Sequence, residues 1–409
     1  MNIITSIIIP THNRSASLKK MLQSLELQSY PKQNFEVIVV ADGCKDDTVE
    51  MVNDYKAPSQ LSLCELPGVG AATARNTGAS SAKGHYLVFV DDDMELSVDF
   101  ISEHIALHKN ENDVVIGYSP LFLKSKAGIQ RLSLLEWWEE KFQSMRDKRY
   151  RFKYDDLTSG NFSISALLFK KVNGFDTALL CREDYELGFR LIEAGAQFCF
   201  ANKAKALHRD EVTDLKRSLQ RKKSEGMADI QIKYKHSGFI NKEALYYLSY
   251  RSFAKSVLLR IIQFAPALCD SIANFSLTLM NYFERMRLLS YWQKLNYRLH
   301  QYWYLKGLMI KAGSAKKLYQ IMEVKQTSST ENSPLKIDLK NGLEKVEELI
   351  DNKRPTALEI FYGSKLIGYV NYEAGVEPVK GVHLRKILKE KFSDELASVL
   401  LPEVFPAAI

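Results

Sequence analysis

The chain has 409 residues, 46% of them hydrophobic and 26% charged, with a formal net charge of +7. That composition is globular and excludes a disordered chain, and the length exceeds one ordinary core, so two or three domains are expected. The five cysteines, Cys44, Cys64, Cys181, Cys199 and Cys269, are odd in number and lack a C-x-x-C spacing, which speaks against a disulfide framework and for a reduced, cytoplasmic protein.

Met1 to Ile9 lacks a basic stretch and runs directly into a strand, so no signal peptide is expected. Apolar runs at Ile3 to Ile9, Phe35 to Val40, Leu61 to Leu66 and Tyr86 to Val90 predict strands, and Leu18, Met21, Leu22 and Leu25 predict a helix between the first two. This alternation predicts an α/β fold, with a doubly wound, mostly parallel sheet covered on both faces. Pro67-Gly68-Val69-Gly70 contains G-x-G, but Thr73 stands where a third glycine belongs, so the segment reads as a turn and a tight helix start.

The fourth strand runs into Asp91, Asp92 and Asp93. Adjacent carboxylates repel and are costly to desolvate unless a cation or hydrogen-bond donors lie among them. Strand ends are where open α/β sheets bind ligands, so the triplet reads as a site for Mg²⁺ or Mn²⁺ and a diphosphate, against the plainer reading of a solvated acidic loop. A second cluster, Glu183 and Asp184, opens an amphipathic helix carrying Leu187, Leu191 and Ala194 on one face. Helix capping explains it as well as catalysis does, until both clusters face one cleft, where one group holds metal and leaving group and the other takes a proton. Gly188 inside that helix costs about 1 kcal/mol relative to alanine, so close packing is expected there.

Several of these segments resemble glycosyltransferase family 2, over roughly residues 1–225. They are Ser6 to Arg14, Val37 to Thr48, Gly70 to Gly78, the acidic triplet, Gly160-Asn161, Asn173 to Asp176, Glu183-Asp184 and His208. The resemblance implies the GT-A fold, with a nucleotide-sugar half at about 1–118 and an acceptor half at about 119–240. It implies a donor site at Pro10, Thr11, Asn13, Arg14, Asp42, Arg75, Asp91 and Asp92, with Asp42 at the nucleotide base. Asp91 and Asp93, as the outer members of a D-x-D motif, and His208 would hold the metal. Gly160 and Asn161 would lie on the acceptor side, and Asn173 replaces the first glycine of the family's G-G-F-D element. Asp184, with Glu183 beside it, would supply the base of an inverting reaction. The basic run of Lys216, Arg217, Arg221, Lys222 and Lys223 reads either as a solvated face or as a diphosphate lid formed by Arg217 and Arg221.

Residues 241–325 carry helical patterns rich in aromatic residues but no clean apolar run of spanning length. Tyr291, Trp292, Tyr297, Tyr302, Trp303 and Tyr304 are either core or an interfacial belt for peripheral membrane contact. A polar linker is expected at 326–335, followed at 336–409 by a small α/β unit with a helix at Leu343, a hairpin about Gly363-Ser364 and a helix from Val382 to Phe392. The expected partners are a nucleotide sugar, UDP-linked first among the candidates, and a glycan or lipid-linked acceptor, with no nucleic acid. A sugar nucleotidyltransferase and a non-catalytic binding module are the competing readings. The first would need a Gly-rich loop and a lysine where Pro10 to Arg14 stand, and the second has no need of both acidic clusters.

Overall fold

A computed structural model describes residues 3–57, 59–122, 128–209, 215–239, 242–249, 253–322 and 333–404. Eight strands form one sheet: β1 Thr5–Thr11, β2 Phe35–Asp42, β3 Gln60–Leu66, β4 Tyr86–Val90, β5 Met94–Leu96, β6 Asp113–Tyr118, β7 Asn161–Ser165 and β8 Gln197–His208. Their order is β3-β2-β1-β4-β7-β6-β8-β5. β1 pairs in parallel with β2 and β4, β2 with β3, and β6 with β8, whereas β7 runs antiparallel between β4 and β6 and β5 runs antiparallel to β8. The sheet is therefore mixed in its second half. The strand order reverses between β1 and β4, and a crevice for ligands opens beyond the carboxyl ends of strands at such a switch point. Thr11 ends β1 and Val90 ends β4, so the acidic triplet lies there.

Sixteen α-helices follow among the described residues. The sheet region holds α1 Ser15–Glu26, α2 Thr48–Asn53, α3 Ala71–Ser81, α4 Phe100–Ile105, α5 Ile129–Arg146, α6 Ala166–Lys171 and α7 Glu183–Glu193. The helical region holds α8 Leu215–Lys235, α9 Lys242–Ser249, α10 Phe253–Phe264, α11 Pro266–Arg285, α12 Leu289–Ala312 and α13 Ala315–Met322, and the last unit α14 Leu343–Lys353, α15 Gly381–Lys391 and α16 Ser393–Val404. The two-residue period of a strand divides the sheet's side chains between two cores. Ile7, Ile9, Val88 and Val90 pack on Leu18, Met21, Leu22 and Leu25 of α1, while Ile8, Leu87 and Phe89 face Phe162, Phe169, Phe175 and Leu187. Each such side chain contributes about 1.5–3 kcal/mol by leaving water.

The helical region has a core of its own, and four of the six aromatics with an interfacial alternative are inside it: Trp292, Tyr302, Trp303 and Tyr304 are buried, which overturns the membrane reading for them. Tyr291 and Tyr297 are exposed. Backbones of α8 and α12 approach closely at Gly226 and Gly307, where an added Cβ would strike the opposite helix. α8 serves two cores, giving Leu219 and Ile230 to the helical one and Ala228 and Ile232 to the sheet's, so the expected boundary at 240 follows a helix shared between them. Most of the expected linker, 326–332, lies outside the described residues. In the last unit β9 Leu335–Asp338, β10 Leu358–Tyr362 and β11 Lys365–Val370 form a sheet against α14 and α15, with Ile337, Leu358, Ile360, Val379 and Leu384 buried between. It docks on the sheet region through Tyr154 N–H to Gly375 O at 2.8 Å and Phe152 N–H to Glu377 Oε1 at 3.0 Å.

Candidate active site

The end of β4 is pinned by the end of β1. Thr11 Oγ1 donates to Asp92 Oδ2 at 2.7 Å, and Arg14 donates to Asp92 Oδ1 at 2.9 Å and Asp93 Oδ2 at 2.6 Å. Both aspartates are buried, and burial pushes Asp92 up to about 6 even with Arg14 beside it. Burial works on Asp93 too, but the charges of His208 and Arg14 hold it below the usual carboxylate range. Pro10 lies within β1, and Asn13, in the left-handed region at φ 53°, accepts the Lys45 N–H on Oδ1 at 2.6 Å. Asp42 accepts three backbone N–H groups, from Gly68 at 3.0 Å, Val69 at 2.7 Å and Gly70 at 2.7 Å. These occupy three of its roughly four acceptor directions, so Asp42 shapes the loop before α3.

Arg75, on α3 and 4% exposed, joins the two acidic clusters. One arm reaches Asp91 Oδ1 at 2.8 Å, the other Glu183 Oε1 at 3.0 Å, and the guanidinium rests over Phe175 with 5.6 Å to the ring centre. Asp91 fits against the chain because residue 160 is glycine: an added Cβ there would lie 2.5 Å from Asp91 Oδ2. Its neighbour Asn161 corrects an expectation. The side chain is fully buried, accepts His104 on Oδ1 at 2.8 Å and donates to Ser119 Oγ at 3.1 Å, so it ties strand ends together and offers nothing to an acceptor.

At the start of α7, Glu183 is committed to Arg75, while among the described residues Asp184 accepts only backbone N–H groups, from Ser159 at 3.4 Å and from Tyr185 at 2.9 Å. Burial and the charge of Asp184 together raise Glu183 above its ordinary range, against Arg75. Gly188 packs on the backbone of Tyr154, the close approach expected of it.

Arg182, the residue before α7, holds this segment in place. It adopts the left-handed conformation at φ 58°, uncommon for arginine, and its buried guanidinium pairs with Glu225 at 2.9 Å, Asp229 at 3.2 Å and Glu243 at 3.1 Å. Those partners lie 43 to 61 residues away on α8 and α9, so no local pattern announces them. Arg221 is three-quarters exposed, pairs with Glu225 at 3.5 Å and lies within electrostatic reach of Asp184 and Glu183. Arg217 is exposed on the preceding turn of α8.

Among the described residues, no three His, Cys, Asp or Glu side chains form a ready metal cage. The expected set of Asp91, Asp93 and His208 is split, with Asp91 turned to Arg75. Asp93 Oδ1, buried and without a hydrogen bond, faces His208 Nε2 at 3.3 Å. A carboxylate oxygen and an imidazole nitrogen so placed fit one side of a divalent cation whose remaining ligands are phosphate oxygens and water.

A mixed α/β sheet with carboxylates at its switch point, joined through Arg75 to those at a helix start, has the architecture of a GT-A fold. Residues 6–172 match glycosyl transferase family 2, and residues 140–213 match the N-terminal domain of galactosyltransferase. The first match spans β1 to β7 and so most of the sheet region. The chain is 28% identical over 219 residues to the validoxylamine A glucosyltransferase of Streptomyces hygroscopicus, covering 46% of this chain and 51% of that protein. It is 31% identical over 114 residues to the poly(ribitol-phosphate) beta-N-acetylglucosaminyltransferase TarS of Staphylococcus aureus, covering 27% of this chain and 20% of TarS. The chain therefore spans about half of the first of these relatives and a fifth of the second. A mannosyltransferase from Pyrobaculum calidifontis, PcManGT, solved with GDP-Man and Mn²⁺, superposes with a TM-score of 0.50 at 18% identity over 75% of this chain and 86% of that one, which is a likeness of fold.

Proposed function

We propose that this protein transfers a sugar from a nucleoside-diphosphate sugar to an acceptor hydroxyl in a single inverting displacement. The observation that carries the reading is Arg75, whose two arms hold Asp91 at 2.8 Å and Glu183 at 3.0 Å and so bring the strand-end and helix-start carboxylates to one cleft. Asp184 is the base: among the described residues it makes no ion pair, whereas Glu183 is held by Arg75. Asp93 and His208 would hold Mn²⁺ or Mg²⁺, which when bound neutralises charge on the departing diphosphate. Arg221, exposed beside α7, covers the diphosphate, with Arg217 in support. One carboxylate suffices, because the acceptor hydroxyl gives its proton to Asp184 as it attacks the anomeric carbon and the diphosphate leaves without a proton donor. The donor is a UDP-sugar and the acceptor a glycan or lipid-linked glycan.

The test is incubation with Mn²⁺ and a panel of sugar nucleotides, measuring free nucleoside diphosphate. Release that rises with an added acceptor supports transfer. Pyrophosphate formed from a nucleoside triphosphate and a sugar phosphate would point to a nucleotidyltransferase, binding without turnover to a binding module, and no binding of any donor would end the proposal.

A further inference from the structure

The outward face of α11 has no counterpart in the catalytic reading. Leu268, Ile272, Phe275, Leu279 and Tyr282 follow one another at three- and four-residue steps, which places them on a single helical stripe, and all are exposed, Ile272 at 59% and Phe275 at 65%. The stripe continues beyond the helix through Met286, Leu288, Leu289 and Tyr291, also exposed. The opposite side of α11 is committed to the protein: Cys269, Ala273 and Met280 are buried in the helical core. An apolar face this long is rare on a soluble monomer and marks a contact surface.

Its charges select the partner. Residues 264–291 contain two acids, and both are engaged inward, Asp270 with Lys306 and Tyr302 and Glu284 with the Ile129 N–H at 3.1 Å. The cations at the ends of the stripe, Arg260 before it and Arg285 and Arg287 after it, are exposed. A second copy docked through this face would set cation against cation whether the helices ran parallel or antiparallel, because both ends are basic. No single described helix is long and apolar enough to cross a membrane, and the segments Val257–Phe264 and Pro266–Arg285, which reach that composition together, meet at a bend of 107°. We propose that α11 lies in the plane of an anionic lipid surface, its apolar stripe among the acyl chains and Arg260, Arg285 and Arg287 at the headgroups.

This inference does not depend on the proposed chemistry, and its test does not read activity. The full chain is floated at low salt with phosphatidylcholine vesicles, with and without phosphatidylglycerol. The unaltered protein should float with the anionic vesicles and much less with the neutral ones. A variant with Leu268→Gln, Ile272→Gln and Phe275→Gln should lose flotation on both while keeping its circular dichroism and unfolding midpoint, since these side chains are exposed. A variant with Arg285→Gln and Arg287→Gln should bind anionic vesicles about fivefold more weakly per charge removed. Failure of the unaltered protein to float, flotation untouched by the three glutamines, or a lipid-free dimer that the three glutamines dissociate would each overturn the proposal, the last in favour of a second copy as the occupant.

Discussion

The two carboxylate clusters that meet across Arg75 are built in opposite ways. At the β4 end, Asp92 and Asp93 are buried and gripped by side chains, Thr11 and Arg14 at 2.6 to 2.9 Å. At the α7 start, Asp184 is held, among the described residues, by backbone N–H groups alone, the more distant at 3.4 Å. The difference suits the two roles proposed for them. Groups that stay charged and fixed in place beside a cation are served by ionic partners, while a group that must accept a proton loses basicity to every cation in contact with it.

The largest effect expected from this contrast falls on Asp184. Asp184→Asn should lower turnover by about 10²–10⁴-fold with donor affinity nearly unchanged, because the base acts only as the acceptor is deprotonated. Glu183→Gln should show the milder defect, since it loses the Arg75 ion pair and keeps the base. Steady-state kinetics beside donor titration decides this, and a severe defect in Glu183→Gln with near-normal Asp184→Asn would reverse the two roles.

Next in size is Arg182, which stakes the α7 start to the helical region. Arg182→Ala removes a cation shared by Glu225, Asp229 and Glu243, leaving Lys222 on Glu225 and Glu243, and removing one partner of a buried pair costs about 3–5 kcal/mol. Chemical denaturation should show that loss, and a change under about 1 kcal/mol would mean that the α7 start is held by its own backbone instead.

Sequence made the strand-end half of this contrast legible and the other half less so. A three-carboxylate run after Tyr86–Val90 breaks local rules in a way that only a charge-handling site excuses, so Asp91 to Asp93 stand out within ten residues. Glu183 and Asp184 stand out too, but capping explains them as well as catalysis does until the resemblance implies a base there. The neutralising role of Arg75 toward Glu183 spans 108 residues, and the Arg182 cluster joins three helices, so both arise from packing that no short window contains. Asn161 shows the converse: its position in a family motif suggested the acceptor, and its burial against His104 and Ser119 shows a structural tie. The aromatic helices left core and interfacial belt both open for a simpler reason, since a stripe at helical spacing looks the same whether its face turns to a core or to lipid. The exposed apolar stripe is on α11, beside the buried aromatics of α12.

A smaller effect is expected at the metal side of the contrast. Asp93→Asn keeps the shape of the pinned cluster but removes a charge facing His208, so divalent-dependent donor binding should weaken by about 10–100-fold, by analogy with the loss seen when the support of a metal ligand is removed. Donor titration with Mn²⁺ and then EDTA measures it, and equal donor affinity in EDTA would remove the metal from this site.

The smallest effect tests whether Asn161 and its surroundings are scaffold. His104 is fully buried against Asn161 Oδ1 at 2.8 Å and Ser163 Oγ at 3.0 Å, and burial lowers its pKa from 6.5 to about 4. The unfolded chain therefore binds this proton as pH falls through about 6.5 while the folded protein refuses it until about 4, so stability is lost across that window and is flat above it. Each pKa unit is about 1.4 kcal/mol. Between about pH 7.5 and about pH 5 the expected loss attributable to His104 is about 1–2 kcal/mol, with His108, lowered in the same way, adding a share of the same sign. His104→Gln does not titrate, so urea midpoints should show the unaltered protein losing more stability on acidification than the variant does, whatever constant penalty the substitution brings. Parallel pH profiles would mean that His104 becomes charged inside the fold, which requires an anion or water beside Asn161 and would return that side chain to the open cleft.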